Sequence, residues 1–361
     1  MGKKVLIIDD SALMRRVISD IIKSDEQLTV ADTATNGVHG IEKLVQGKRY
    51  DAIVVDIQMP RMDGVEFLKT MNMKRIRIPV IVVSSVASES ADETIEALSL
   101  GAMDFVRKPT ASMGLEFREF QNKLLRVLHI ACGLERYRIE PDKVYQKSIQ
   151  QAESTRARLE KSTLKPTRKG EKLVVIASST GGPKSLQSVV PYFPKGFAWP
   201  IVIVQHMPAG FTASLAQRLD QLSPLRVKEA EDGEVLKPGI IYLAQGGKQC
   251  ELVQKASGVY QFSENDKPPR AGLKPCADIF FESLVNTSYE EIVCAVLTGM
   301  GADATKGIQL IKKSKKVKVV AQNEETCVVY GMPKAAYMAN ITDFVVPLED
   351  VAGTLVKMIK E

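Results

Sequence analysis

Short apolar runs that stop abruptly at polar residues mark strands in both halves of this chain. In the first half, Val5-Leu6-Ile7-Ile8 stops at Asp9-Asp10, Ala52-Ile53-Val54-Val55 at Asp56, and Val80-Ile81-Val82-Val83 at Ser84; Asp104-Phe105-Val106 precedes Lys108-Pro109. Unbroken apolar runs suit strands covered on both faces, as in parallel sheets. Met14, Val17, Ile18, Ile21 and Ile22 recur at i, i+3, i+4, i+7 and i+8, one face of a helix. Leu124, Leu125 and Leu128 close this unit on a last helix. In the second half, Leu173 to Ile176 leads into Ser178-Ser179-Thr180-Gly181-Gly182, Ile201 to Val204 into Gln205-His206-Met207-Pro208, and Ile292 to Leu297 into Thr298-Gly299-Met300-Gly301-Ala302-Asp303. From Lys172 the strand-helix alternation continues to the end. The pattern predicts an α/β protein of two doubly wound parallel-sheet domains, residues 1–125 and 170–361. A charged, Gln-rich linker over 126–169 joins them, with a helix feasible over Ser148 to Lys161.

Composition changes this picture little. A chain of 361 residues, 45% apolar and 25% charged, reads as an ordinary soluble protein of two domains. The net charge of +6 invites a nucleic-acid reading, but residues 129–172 hold eleven Lys/Arg against six Asp/Glu, so the excess sits in the linker. No nucleic-acid face is expected. No run reaches the roughly 18 apolar residues of a spanning helix, so no membrane insertion is expected. The opening strand is too short for a signal-peptide core. Leu6 stands where a myristoylation motif wants Ser or Thr. Five cysteines without metal-type spacing read as reduced thiols of a cytoplasmic protein.

Ligands in open parallel sheets gather at the carboxyl ends of the strands, and the polar residues lie there. Asp9, Asp10 and Asp56 would repel one another unless a cation joined them. Oxygen donors favour Mg2+, and Lys108 would add a charge for phosphoryl oxygens. Asp56 could then carry an aspartyl phosphate. These residues resemble a response-regulator receiver domain over about residues 3–125, on Ile7-Ile8-Asp9-Asp10-Ser11, Val55 through Gly64, Ser84 and Lys108-Pro109. The resemblance implies a flavodoxin-like fold with Asp56 as phosphoacceptor. It implies Mg2+ held by Asp10, Asp56 and the Gln58 carbonyl with Asp9 in support. Ser84, Phe105 and Lys108 become the residues that respond to phosphorylation.

In the second half, Ser179 follows a strand and precedes a helix starting near Pro183. From this motif alone, a nucleophile and an anion-cradling loop are equally good readings. His206 favours the first. Of three histidines, His39 is expected in a polar turn and His129 at the connector, so only His206 follows a second-half strand. An Asp in a Gly-rich loop is commonly a turn residue, yet Asp303 could orient an imidazole. The order Ser, His, Asp is neither that of α/β-hydrolases nor that of chymotrypsin, and no Gly-x-Ser-x-Gly elbow is present.

The second half resembles the catalytic domain of chemotaxis protein-glutamate methylesterases over about residues 170–361. The matching segments are Ser179 to Gly182, Gln205 to Pro208, Leu297 to Asp303, and Gln322 with Gly331 through Ala336. A receiver fused ahead of it is that family's architecture. The resemblance implies a Rossmann-like hydrolytic domain that needs no cofactor for hydrolysis. It implies demethylation of glutamyl methyl esters, and possible deamidation of glutamines, on methyl-accepting chemoreceptors. The chemotaxis histidine kinase would be phosphodonor. Ser179 would be nucleophile, His206 base and Asp303 orienter, with the Met300 amide as oxyanion donor and Thr180 in support. Ala177 and Ala304 depart from the family's usual glycines. A receiver on a hydrolase suggests control, with the unphosphorylated receiver blocking the Ser179 cleft. A non-catalytic binding module and a general esterase remain open; a DNA-binding output fits badly, for want of a basic helix.

Overall fold

The computed structural model describes residues 2–85, 88–110, 114–134, 171–256 and 259–360. The chain divides into two compact units, and among the described residues the first ends at Leu134 and the second begins at Glu171. No described helix is long and apolar enough to cross a membrane.

The first unit alternates strand and helix: β1 (Lys3–Ile8), α1 (Ala12–Lys23), β2 (Leu28–Ala34), α2 (Gly37–Val45), β3 (Ala52–Asp56), α3 (Gly64–Met73), β4 (Val80–Ser84), α4 (Ser88–Ser99), β5 (Asp104–Arg107) and α5 (Leu115–Ala131). All strand pairs are parallel, in the order β2-β1-β3-β4-β5, the flavodoxin-like order. Every residue of β3 and β4 is buried, as their unbroken apolar runs require. Ser11 caps α1 by accepting the Met14 N–H, and Asp63 with Glu66 forms a capping box on α3, so the loops after β1 and β3 are pinned at their helix ends.

The unit reaches past the expected boundary at 125. Helix α5 continues to Ala131, and Phe120, Leu124, Val127 and Leu128 are all buried at helical spacing, with Cys132 behind them. Burying that last turn is worth more than leaving Val127 and Leu128 in water. His129 belongs to this helix rather than to a connector, and its Nε2 lies 2.7 Å from Asp25 Oδ2. His39 lies in the first turn of α2, not in a loop, and its N–H is capped by Asn36. The rest of the expected linker, 135–169, and its feasible helix lie outside the described residues.

The second unit comprises β6 (Lys172–Ser178), α6 (Gly182–Val189), β7 (Ile201–Gln205), α7 (Phe211–Leu222), β8 (Arg226–Glu229), β9 (Ile240–Leu243), β10 (Gln249–Ala256), β11 (Val259–Asn265), α8 (Ala277–Ser283), β12 (Glu291–Val296), α9 (Thr305–Ile311), β13 (Lys316–Gln322), α10 (Met332–Met338), β14 (Phe344–Val346) and α11 (Val351–Lys360). Seven strands form one parallel sheet, ordered β14-β13-β12-β6-β7-β9-β8. The alternation is broken between β8 and β11, four strands with no helix among them. β10 and β11 form a separate antiparallel hairpin. Its Leu252, Tyr260 and Phe262 fill the core beside Tyr242 and Phe280, which explains why it lies against the sheet. The three strands read from the sequence as carrying chemistry, β12, β6 and β7, are adjacent at the centre.

Candidate functional site

Strand register brings the three loops of the second unit together. The last paired residues are Ser178 with Gln205, and Ala177 with Val296. Ser179 and His206 therefore leave neighbouring strands side by side. The His206 N–H donates to Ser178 O at 3.0 Å, and the Ser179 N–H to Thr298 O at 3.0 Å. The Ser179 loop is thus stitched to the loops after both β7 and β12. The Thr298 hydroxyl, fully buried, donates to Thr180 O and accepts from the Val329 N–H. Gly299 must be glycine here, since a Cβ would stand 2.5 Å from Met332 Sδ and 2.8 Å from Ser179 Cβ. That close approach sets Gly299, the residue before Met300, against Ser179.

His206 and Asp303 are directly bonded, Nε2 to Oδ2 at 2.7 Å, with both side chains buried. The opposite ring nitrogen, Nδ1, is buried and makes no hydrogen bond. The structure thus joins imidazole and carboxylate and sets Ser179 on the adjoining strand end, without a hydrogen bond from the serine hydroxyl to the ring. Such contacts often tighten only with substrate bound.

Asp303 accepts three further hydrogen bonds, all from the start of α8: the Ala277 N–H at 2.6 Å, the Asp278 N–H at 2.9 Å and the Cys276 thiol at 3.2 Å. Burial alone would raise its pKa, but His206 and these donors outweigh burial and hold the carboxyl well below its usual range. The Cys276 thiol is pushed up to about 12 by burial and then by the Asp303 charge, so it stays a neutral donor. Ala304 has φ 77°, a left-handed conformation that costs a non-glycine residue roughly 1 kcal/mol. Its methyl is fully buried in the core, and burying one such carbon contributes about 0.8 kcal/mol. The two effects nearly cancel, so alanine keeps the loop a glycine would give. Ala177 lies within β6, where no unusual backbone is needed.

In the first unit, carboxylate oxygens of Asp9, Asp10 and Asp56 all lie within 4.8 Å of one another. Asp9 and Asp56 are buried and Asp10 is exposed. Lys108 Nζ lies 2.7 Å from Asp56 and 3.0 Å from Asp9. Burial pushes Asp56 up to about 6, with Lys108 opposing and Asp9 and Asp10 adding to the rise. Three crowded carboxylates with one lysine leave excess negative charge, which a hard divalent cation would neutralise. Gln58 follows two residues after Asp56 and is exposed. Ser84 is fully buried, and its hydroxyl accepts from the Thr94 hydroxyl at 2.8 Å. Phe105 is turned inward, with Lys123 Nζ 4.6 Å from its ring centre.

Two families match this chain: CheB methylesterase over residues 174–355, and the response regulator receiver domain over residues 5–116. The chain belongs to the CheB methylesterase family. A protein-glutamate methylesterase/protein-glutamine glutaminase of Syntrophomonas wolfei is 41% identical over 360 residues, covering 99% of each chain. A protein of the same name in Pyrococcus horikoshii is 40% identical over 362 residues, covering 100% of this chain and 95% of the other. The crystal structure of a Thermotoga maritima CheB methylesterase catalytic domain is 42% identical, with a TM-score of 0.50, covering 53% of this chain and all of that one.

For a CheB methylesterase, the sequence motifs name candidate reacting groups but not what holds them. The α8 donors to Asp303 come largely from backbone and leave no sequence signal. Gln205 precedes His206 and Thr298 opens the loop that carries Asp303, and only the structure shows what their side chains bind. Lys123 had no signal beyond its place on a helix.

Proposed function

We propose that this chain is a phosphorylation-controlled protein-glutamate methylesterase acting on chemoreceptors in the cytoplasm, with glutamine deamidation as a second reaction at the same site. The observation that carries the reading is the buried His206–Asp303 bond on the strand ends that flank Ser179. In this mechanism the ring nitrogen opposite Asp303 takes the Ser179 hydroxyl proton as Oγ attacks the ester carbonyl. Asp303 holds the other ring N–H and stabilises the imidazolium. The Met300 amide, which follows the Gly299 that packs against Ser179, stabilises the oxyanion, and Thr180 helps fix the loop. His206 returns the proton to the departing methoxy group, so methanol leaves and a glutamyl-Ser179 ester remains. Water, deprotonated by His206, then releases the glutamate. With glutamine, ammonia leaves in place of methanol.

The receiver half is read as the control element, with Asp56 accepting a phosphoryl group from a chemotaxis histidine kinase. The all-oxygen set of Asp9, Asp10, Asp56 and the Gln58 carbonyl fits Mg2+, which would neutralise charge on the transferring group. Lys108 pairs with that charge. The Ser84 hydroxyl, now held by Thr94, and Phe105, beneath Lys123, are the groups placed to rearrange afterwards.

The test is methanol release from methylated receptor membranes with and without a small phosphodonor and Mg2+. Phosphodonor is expected to raise the rate about tenfold or more, a common size for coupling between sites. Asp56→Asn is expected to remove that stimulation. Equal rates with and without phosphodonor would overturn the control reading. Faster turnover of simple esters than of methylated receptor would favour a general esterase.

A further inference from the structure

The side chain of Gln205 lies between the two loops that carry Ser179 and His206. It ends β7, is 1% exposed, and stands opposite Ser178 in the sheet. Its amide nitrogen donates to Ser179 O at 2.9 Å and to His206 O at 3.1 Å. Its amide oxygen accepts the Ser178 hydroxyl at 2.6 Å. The orientation of this amide is fixed by its partners. Two carbonyls require two N–H donors, and the hydroxyl proton requires the oxygen. Position 182 is shaped for it, since a Cβ on Gly182 would stand 2.0 Å from Gln205 Oε1. The Gly182 N–H also donates to Ser179 O at 2.7 Å, so that carbonyl is held from two sides.

We infer that Gln205 is a positioning residue for hydrolysis: one buried amide sets the separation of Ser179 and His206 by holding the backbone carbonyl of each. It touches neither substrate nor the reacting atoms. The inference rests on the methylesterase reading. The serine hydroxyl and the imidazole are not hydrogen-bonded in this structure, so their contact must form as substrate binds, and only from strand ends already at the right spacing. The Ser178 hydroxyl, in turn, keeps the amide from rotating.

The test uses the full chain with phosphodonor and methylated receptor membranes. A misplacement of about 1 Å can cost about 100-fold. Gln205→Leu, which keeps the volume and loses both donors, is therefore expected to lower kcat by tens of fold to about 100-fold with KM nearly unchanged. Gln205→Glu gives a distinct readout. A protonated carboxyl there can still donate to one carbonyl, whereas a carboxylate would repel both. Its activity is expected to be partly retained at the acid end and to fall as pH rises, an alkaline limb that the wild type lacks. Ser178→Ala is expected to lower kcat by a few fold, and to add nothing further to Gln205→Leu.

Wild-type kcat in Gln205→Leu, or a wild-type pH profile in Gln205→Glu, overturns the inference while leaving the enzyme reading intact. Should Gln205→Leu fail to fold, Ser178→Ala decides: an unchanged kcat there overturns it. A wild-type chain that releases no methanol overturns the enzyme reading, and the inference with it.

Discussion

Ser179→Ala is expected to slow methanol release from methylated receptor by about 10,000-fold or more, while the folded structure and its unfolding transition stay unchanged. The separation of chemistry from stability follows from what holds this residue. Its N–H bonds to Thr298 O, and its carbonyl receives the Gly182 N–H and the Gln205 amide. All of these are backbone groups of Ser179 and survive the substitution. The Cβ that packs against Gly299 also remains. Only the hydroxyl is lost, and no other group in the mechanism can form the acyl intermediate. The residual rate would come from binding and the oxyanion donors. Turnover within tenfold of wild type would show that Ser179 is not the nucleophile.

Substitution of Asp303 is expected to damage both catalysis and folding, in proportions that depend on the replacement. Asp303→Asn keeps the shape but presents an N–H2 where two acceptor oxygens now serve four donors. The imidazole then loses the partner that fixes its tautomer, a loss of about 10,000-fold in kcat in a triad of this type. Asp303→Ala removes every acceptor and leaves the Ala277 and Asp278 N–H groups buried and unpaired, at about 1–3 kcal/mol each. Denaturant midpoints should therefore fall for both, and further for alanine. The pH dependence has a definite sign. The folded carboxyl titrates below its unfolded value of 3.8, so its stabilisation is complete above that value and is lost as pH falls through the folded pKa. The alanine variant should lack this contribution to acid sensitivity. A variant with wild-type kcat, or an Asp303→Ala midpoint equal to wild type, would contradict the geometry.

Much of this was legible in the sequence because parallel strands buried on both faces read as unbroken apolar runs. Asp56, Ser84, Ser179 and His206 could be placed at strand ends for that reason. β2 was harder to see, since the edge strand Leu28–Ala34 mixes exposed and buried residues and offers no such run. From β8 to β11 the sequence pattern predicts continued alternation, where the structure has four strands and no helix among them. Its hairpin strands are polar on one side, and their apolar side shares the core with Tyr242 and Phe280, which lie outside the hairpin. α5 runs on past 125 because residues 127–134 hold no Lys, Arg, Asp or Glu, so its last turn can be buried, and the charge that marks the linker begins only at Glu135. Gln205 and Cys276 could not be assigned at all, since an amide or a thiol has no meaning until its partners are known.

The central trio of strands has a consequence for how the enzyme comes into being. β6 and β7 are made first, and a ribosome-bound chain that has completed both already carries serine and imidazole. β12 is translated much later, yet it must slot in on the far side of β6 to supply the Thr298 carbonyl and the carboxylate. Pairings so distant along the chain form late. A nascent chain therefore lacks the His206–Asp303 pair through most of its synthesis, and gains it only once the loop after β12 is made and docked.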